Sequence, residues 1–317
     1  MITVIVSSMR ICFAGLALTL SLAGCGSSGA PDGAGAADTS PSRVAASTVI
    51  SVVASTDVYA DIARSVGGDR VTVSSFISDP GQDPHSYEAS TQNQLAISKA
   101  DLVIENGGGY DDFIHRMVKA SHAQATVLNV VDISGKRAAA GQQLNEHVWY
   151  DFPTVTRLAG DLATALTAID SKDAAVFQAK ATAFTERVQR LVTEEKDLKA
   201  TSGGGGVAIT EPVPLYVLEA VGLHNDTPLG FSAAIEEGND VSPLVLQQTL
   251  DLFSGRKVTA LIYNEQTTGP ITEQVKKAAE KAGIPVVPVT ETLPEGKSYL
   301  AWMTENLNNL KRALRGR

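Results

Sequence analysis

The feature that most constrains the fold is an alternation of strand-like and helix-like segments, interrupted once by a long stretch without helix breakers. No glycine lies between Gly160 and Gly203, and no proline lies between Pro153 and Pro212. Apolar residues recur at helical spacing within this stretch. Alternating strands and helices on either side of it predict parallel sheets covered by helices. The predicted strands are 48–54, 71–76, 101–105 and 126–130 before the stretch, and 206–210, 258–263 and 285–289 after it.

The sequence therefore predicts an α/β protein of two lobes, each with a mostly parallel sheet flanked by helices, joined by one long linking helix. We place an N-terminal lobe at 47–150, linking helices at 151–202 and a C-terminal lobe at 203–317. A new helix cap is available at Asp170-Ser171, and a helix over 171–200 would be roughly 45 Å long at 1.5 Å per residue. Hydrophobic residues make up 44% and charged residues 19% of the 317, which is enough to build a sizeable core.

The N-terminal residues predict export. An apolar run over 11–22 follows Arg10 and is too short to span a bilayer, as in a signal peptide. The run ends in Leu-Ala-Gly-Cys, which resembles the bacterial lipobox, whose cysteine is acylated and becomes the mature N-terminus. We expect residues 1–24 to be a lipoprotein signal peptide and Cys25 to carry the lipid. The start codon could be that of Met1 or of Met9.

The segment after the lipobox, residues 25–46, is rich in Gly, Ala, Ser and Pro and is predicted to be a flexible tether. The two cysteines, Cys12 and Cys25, both precede the folded body, which therefore has no disulfide and no Cys-based site. We expect the protein to be attached to the outer face of the cell membrane by its lipid anchor only.

The net charge of −9 argues against a general nucleic-acid binder, which needs a concentrated basic surface. An acidic surface suits small cations, although many proteins are acidic for solubility alone.

Two histidines lie in equivalent places on the first lobe. His85, in Asp83-Pro84-His85, follows the second predicted strand, and His147, in His147-Val148-Trp149, follows the fourth. Ligands of parallel α/β sheets gather beyond the carboxyl ends of the strands. Each histidine taken alone could be structural, and the pair leaves a metal site and a structural role both open.

The second lobe offers two carboxylates at strand ends. Glu211 follows the predicted strand 206–210, and Glu265 follows the predicted strand 258–263. Such carboxylates can cap the next helix. Facing two histidines across a cleft, they could instead enclose a divalent cation.

The stretch from Asp83 to Phe113 and the His147-Val148-Trp149 motif resemble the zinc- and manganese-binding proteins of ABC importers, the cluster A-I solute-binding family. The resemblance covers nearly all of the mature chain. It implies that His85 and His147 are the first two metal ligands and that Glu211 stands at the position of the third.

The fourth ligand is where the sequence departs from the family. The usual aspartate, some four residues past a strand-end acid, falls on Gly269 when counted from Glu265. Glu265 itself, water or Asp240 could complete the shell, and we favour Glu265. Zinc-binding members of the family often carry a histidine-rich loop between the first two ligands, and residues 134–146 contain no histidine, so the resemblance points to Mn²⁺. A glutamate as third ligand points the same way, whereas two imidazoles suit Zn²⁺, and the choice of metal stays open.

The resemblance implies an extracytoplasmic lipoprotein that captures Zn²⁺ or Mn²⁺ as its transported ligand and delivers it to an ABC permease. We expect a monomer without catalytic activity. Two alternatives are a metal-dependent hydrolase, for which the HExxH helix is missing, and a surface adhesin that uses the same scaffold.

Overall fold

The computed structural model describes residues 49–315, except residues 80, 83, 85, 86 and 139–142. The signal peptide at 1–24, the tether at 25–46, the acylated Cys25 and the metal ligand His85 therefore fall outside the described residues and remain predictions.

The first lobe contains a parallel four-stranded sheet in the order β2-β1-β3-β4. Its central strand β1, Ile-Ser-Val-Val-Ala-Ser-Thr, is buried along almost its whole length, as its β-branched residues require. Helix α2 begins with a capping box between Ser90 and Asn93. The elements of this lobe are β1 (Ile50–Thr56), α1 (Asp57–Gly67), β2 (Val71–Ile77), α2 (Thr91–Lys99), β3 (Leu102–Glu105), α3 (Asp112–Ser121), β4 (Thr126–Asn129) and α4 (Val130–Ser134).

Two helices, α5 (Phe152–Ile169) and α6 (Ala174–Ser202), connect the lobes. The helix is interrupted between them at Asp170, whose side chain accepts a hydrogen bond from the backbone N–H of Lys172. The interruption predicted from sequence is confirmed there. Helix α6 has 29 residues, which corresponds to about 44 Å. Gly203, with φ of 69°, ends it.

The second lobe repeats the strand order of the first, β6-β5-β7-β8, again all parallel. In each lobe the strand order reverses next to the first strand, which is where α/β sheets place their ligands. The elements are β5 (Gly206–Ile209), α7 (Leu215–Ala220), β6 (His224–Asn225), α8 (Leu229–Glu236), α9 (Pro243–Ser254), β7 (Leu261–Asn264), α10 (Pro270–Lys281), β8 (Val286–Val289) and α11 (Tyr299–Arg315). Of these, α8 was not predicted.

The two lobes share one hydrophobic core. Its largest cluster joins side chains of both sheets, such as Val52 and Ile209, to Phe177 of α6 and Trp302 of α11. The described residues accordingly belong to one compact unit. The predicted fold class is confirmed, while the exact lobe boundaries stay a prediction. Across the described ranges, no helix is both long and apolar enough to cross a membrane.

Two aspartates of α1 tie the first lobe to the chain that precedes α11. Asp57 accepts a hydrogen bond from the backbone N–H of Leu293 at 3.1 Å, and Asp61 accepts one from the backbone N–H of Tyr299 at 2.8 Å. Because Asp57 and Asp61 are one helical turn apart, they present their carboxylates on the same face. The segment between β8 and α11 is thus held against the opposite lobe.

The buried carboxyl group of Glu195, on α6, should make stability fall as pH rises. Burial, with a smaller contribution from Asp151, raises the pKa of Glu195 to about 8. The folded state then holds this proton more tightly than the unfolded state, so the group costs stability increasingly from about pH 4.5 to about pH 8. The raised pKa makes the ionised carboxylate cost about 5 kcal/mol of stability, so Glu195→Gln should raise the melting temperature at about pH 8.5 by about 10 °C, at 2–4 °C per kcal/mol.

The control is Glu194→Gln, one residue away on the exposed face of α6. Thermal unfolding followed by circular dichroism should give little gain for either variant at about pH 5, where the carboxyl is already neutral. An equal gain for Glu195→Gln at both pH values would contradict this account.

Candidate metal site

The side chain of His147 is fully buried where the chain leaves the first lobe for α5. The side-chain oxygen of Asn145 accepts a hydrogen bond from Nδ1 of His147 at 2.7 Å and one from its backbone N–H at 3.2 Å. Since an amide oxygen can only accept, it assigns the ring proton to Nδ1. Nε2 of the neutral ring is then the nitrogen that can bind a metal ion.

Aromatic rings enclose the imidazole. The ring centroid of Trp149 lies 5.1 Å from that of His147, and the ring centroid of Tyr110 lies 5.9 Å from it. Both aromatic side chains are almost completely buried. They exclude water from this side of the ring.

Two buried carboxylates approach from the second lobe, joined by one amide. Glu211 follows β5, and Glu291 follows β8. The side-chain nitrogen of Asn264, the last residue of β7, donates hydrogen bonds to Oε2 of Glu211 and, at 2.9 Å, to Oε1 of Glu291. The other oxygen of Glu291 lies 3.8 Å from Nε2 of His147 and accepts a hydrogen bond from the hydroxyl of Tyr110 at 3.2 Å.

A third carboxylate reaches the same nitrogen from α8. Oε1 of Glu236, the last residue of that helix, lies 3.4 Å from Nε2 of His147. Glu236 and Glu291 thus approach His147 directly, and Asn264 links Glu291 to Glu211. We call these five residues the His147 cluster. One lobe supplies the imidazole and the other supplies three carboxylates.

The electrostatics of the His147 cluster reflect its crowded acidic groups. Burial lowers the pKa of His147, but the carboxylates of Glu236 and Glu291 outweigh it and raise the pKa to about 9. Burial, then the charges of Glu291 and Glu236, raise the pKa of Glu211 to about 8, against hydrogen bonds from Asn264 and Thr267. The cluster therefore attracts positive charge, as protons or as a cation.

The structure brings together two of the residues predicted from sequence and leaves out two others. His147 and Glu211 both belong to the His147 cluster. Glu265 does not, because its side chain is exposed and its backbone N–H continues the sheet to Val289. Consecutive residues of a strand point to opposite sides, so Asn264 takes the inward position. Asp240 is exposed as well.

Sequence analysis missed Glu291 and Glu236. Glu291 follows a predicted strand, so the rule that selected Glu211 and Glu265 would also have selected it. Glu236 lies at the end of α8, a helix that the sequence pattern did not reveal. The sequence thus contained the strand-end signal that could have identified Glu291, but no signal for Glu236.

Within the ranges that the structure describes, no three His, Cys, Asp or Glu side chains are arranged as a ready metal site. His85 lies outside those ranges. The described residues thus supply one oriented imidazole and a set of carboxylates.

Comparison with known proteins gives a family match over most of the chain. The family described as "Zinc-uptake complex component A periplasmic" (ZnuA) matches residues 52–313. The metal ABC transporter substrate-binding lipoprotein SloC of Streptococcus mutans is 22% identical over 291 residues, 86% of this chain and 92% of SloC. The manganese ABC transporter substrate-binding lipoprotein PsaA of Streptococcus pneumoniae is 22% identical over 293 residues, 86% of this chain and 91% of PsaA.

Solved structures share the fold. A mutant structure of the laminin-binding adhesin Lmb from Streptococcus agalactiae superimposes with a TM-score of 0.72 at 22% identity, covering 84% of this chain and 99% of Lmb. At this identity the similarity concerns the fold alone.

A divalent cation bound by the His147 cluster should displace protons. His147 and Glu211, with pKa values of about 9 and about 8, hold protons at neutral pH, whereas metal ligands must be deprotonated. Zn²⁺ titrations by calorimetry at pH 7, in buffers of different ionisation enthalpy, should reveal release of about two protons per ion. The apparent affinity should rise between about pH 6 and about pH 8.

Glu211→Gln is the matched variant, since it keeps the shape of the side chain without its titration. It should release about one proton fewer per ion at pH 7. Unchanged proton release in this variant, or an affinity that falls with rising pH, would contradict the assignment.

Proposed function

Because the chain belongs to the ZnuA family of zinc-uptake components, we propose that it captures a divalent metal ion, Zn²⁺ or Mn²⁺, and delivers it to the permease of an ABC importer. The relatives SloC and PsaA are named as substrate-binding lipoproteins of such transporters. The observation that carries the proposal is the buried Nε2 of His147, turned towards carboxylates of the opposite lobe.

A bound cation would neutralise the excess negative charge of the His147 cluster. Three carboxylates close to one another in a buried place repel one another strongly, because the local dielectric constant is low. Carboxylates that cannot be paired become protonated, as the raised pKa of Glu211 indicates. A divalent ion replaces those protons and binds the ring nitrogen as well.

The ligand set that we propose combines sequence and geometry. The sequence resemblance supports His85, His147 and Glu211. Geometry supports Glu291 as the carboxylate that Glu265 was predicted to be, since Glu291 is buried beside His147. Glu236 is a further candidate, because it approaches the same nitrogen.

Members of this family are solute-binding proteins, so the chain is not an enzyme and the hydrolase alternative is not favoured. The adhesin alternative gains nothing from the similarity to Lmb, which is a similarity of fold.

Delivery to the permease should proceed without a large hinge motion. The hydrophobic core is continuous between the lobes, and α6 runs along both. Release of the ion would then require local movement. Helix α8, which carries Glu236, is suited to it because only Phe231 and Ser232 of this helix are buried.

Metal binding should depend on the inward carboxylate rather than the exposed one. His147→Ala and Glu291→Ala should each weaken Zn²⁺ and Mn²⁺ binding by more than about 100-fold, beyond the 10–100-fold typical of residues that only support a ligand. Glu265→Ala is the matched control and should bind both ions like the wild type. Isothermal titration after removal of bound metal measures this.

Loss of binding in Glu265→Ala with normal binding in Glu291→Ala would restore the choice made from sequence. A wild-type protein that binds neither ion would overturn the proposed function itself.

We place the protein on the extracytoplasmic face of the membrane, held by a lipid on Cys25, as a monomer. Cys25→Ala should abolish the incorporation of a radiolabelled fatty acid into the protein in cells expressing the full chain. The metal affinity of a soluble variant that begins after Cys25 should equal that of the anchored protein, since the tether precedes the folded body. Equal labelling of Cys25→Ala and the wild type would contradict this anchor.

A further inference from the structure

One buried amide, the side chain of Asn264, holds both carboxylates that flank the second-lobe side of the site. Asn264 is 1% exposed and ends β7, between the strands that lead to Glu211 and Glu291. Its Nδ2 atom donates to Oε2 of Glu211 and to Oε1 of Glu291. It thus engages one oxygen of each carboxylate.

The orientation of this amide is fixed on its other side. Oδ1 of Asn264 accepts a hydrogen bond from the backbone N–H of Gln266 at 3.1 Å, so Nδ2 must face the carboxylates. The backbone N–H of Asn264 donates to the hydroxyl of Thr210 at 2.9 Å. Turning the side-chain amide would break its hydrogen bonds with Glu211, Glu291 and Gln266 together.

The consequence concerns how many oxygens the carboxylates can offer to an ion. A carboxylate binds a metal ion through one oxygen or through both. Oε1 of Glu291 is directed at Asn264, whereas Oε2, which also accepts a hydrogen bond from the hydroxyl of Tyr110, is directed at Nε2 of His147. With Oε2 of Glu211 held by the same amide, Oε1 is the oxygen that Asn264 does not engage.

We propose that Asn264 is a positioning residue that restricts Glu211 and Glu291 to one metal-facing oxygen each, and so favours an ion of low coordination number, Zn²⁺, over Mn²⁺. Zinc is satisfied by four ligands in tetrahedral geometry, whereas manganese prefers six, mostly oxygen. This inference rests on the proposed function and adds to it the class of ion that the site selects.

A second side-chain amide, that of Gln266, contacts the backbone next to the site. Oε1 of Gln266 accepts hydrogen bonds from the backbone N–H groups of Glu291 and Thr292, and its Nε2 atom donates to the hydroxyl of Thr292 at 2.7 Å. Through these contacts Gln266 supports the backbone that carries Glu291. Its loss should loosen the site by loosening that backbone.

The test compares Asn264→Ala with Gln266→Ala and the wild type, all freed of metal. The dissociation constants of Zn²⁺ and Mn²⁺ are measured by calorimetry, and Co²⁺ is added as a spectroscopic probe, because its visible absorption is strong in tetrahedral sites and weak in six-coordinate ones. In Asn264→Ala the preference for Zn²⁺ over Mn²⁺ should fall by about 10-fold or more, as expected for a residue that supports metal ligands. The Co²⁺ absorption should weaken in parallel.

Gln266→Ala should weaken the binding of Zn²⁺ and of Mn²⁺ by similar factors and leave the Co²⁺ spectrum unchanged. If Asn264→Ala does not fold, judged by circular dichroism, Asn264→Ser carries the same test, and loss of folding in both variants would make Asn264 a structural residue and overturn the proposal. An unchanged Zn²⁺ to Mn²⁺ ratio and Co²⁺ spectrum in a folded variant would overturn it too. A wild type that binds no metal would instead refute the proposed function.

Discussion

The constraint on which the site depends is the burial of an imidazole against carboxylates of the opposite lobe. Moving such groups out of water costs free energy unless their charges and hydrogen bonds are satisfied. The structure satisfies one nitrogen of His147 with Asn145 and aims the other at Glu236 and Glu291. The remaining excess of negative charge is what a divalent cation can neutralise, so the affinity for metal follows from the way the lobes meet.

This arrangement needs a rigid frame, and the frame crosses the boundary between the lobes. The shared core fixes the two sheets relative to each other, and Asp57 and Asp61 hold the segment that follows Glu291 against the first lobe. A protein built in this way cannot open like a pair of hinged halves without exposing apolar core. The elements that can move at low cost are short and shallowly packed, as α8 is.

The fold could be predicted from sequence because its signals are local. Strand β1 is marked by β-branched residues, and α6 is marked by a long run without glycine or proline. The site could be predicted only in part. His147 has a motif, and Glu211 directly follows a strand, but Asn264 and Glu265 are neighbours of which only one can point inward. The sequence pattern does not fix that choice, because it depends on which side of the second sheet faces the site.

The two halves of the site are also not independent, which explains why no single motif encodes it. Asn145 orients His147 with its side-chain oxygen and donates from its side-chain nitrogen to the carbonyl of Pro212, the residue next to Glu211. The hydroxyl of Tyr216 donates to the backbone carbonyl of Asn145 at 2.6 Å. The second lobe thus positions the imidazole of the first, while Tyr110 of the first lobe contacts Glu291 of the second. The distance between nitrogen and carboxylate is therefore a property of the interface, and a permease that shifts one contact there would disturb both sides of the ion together.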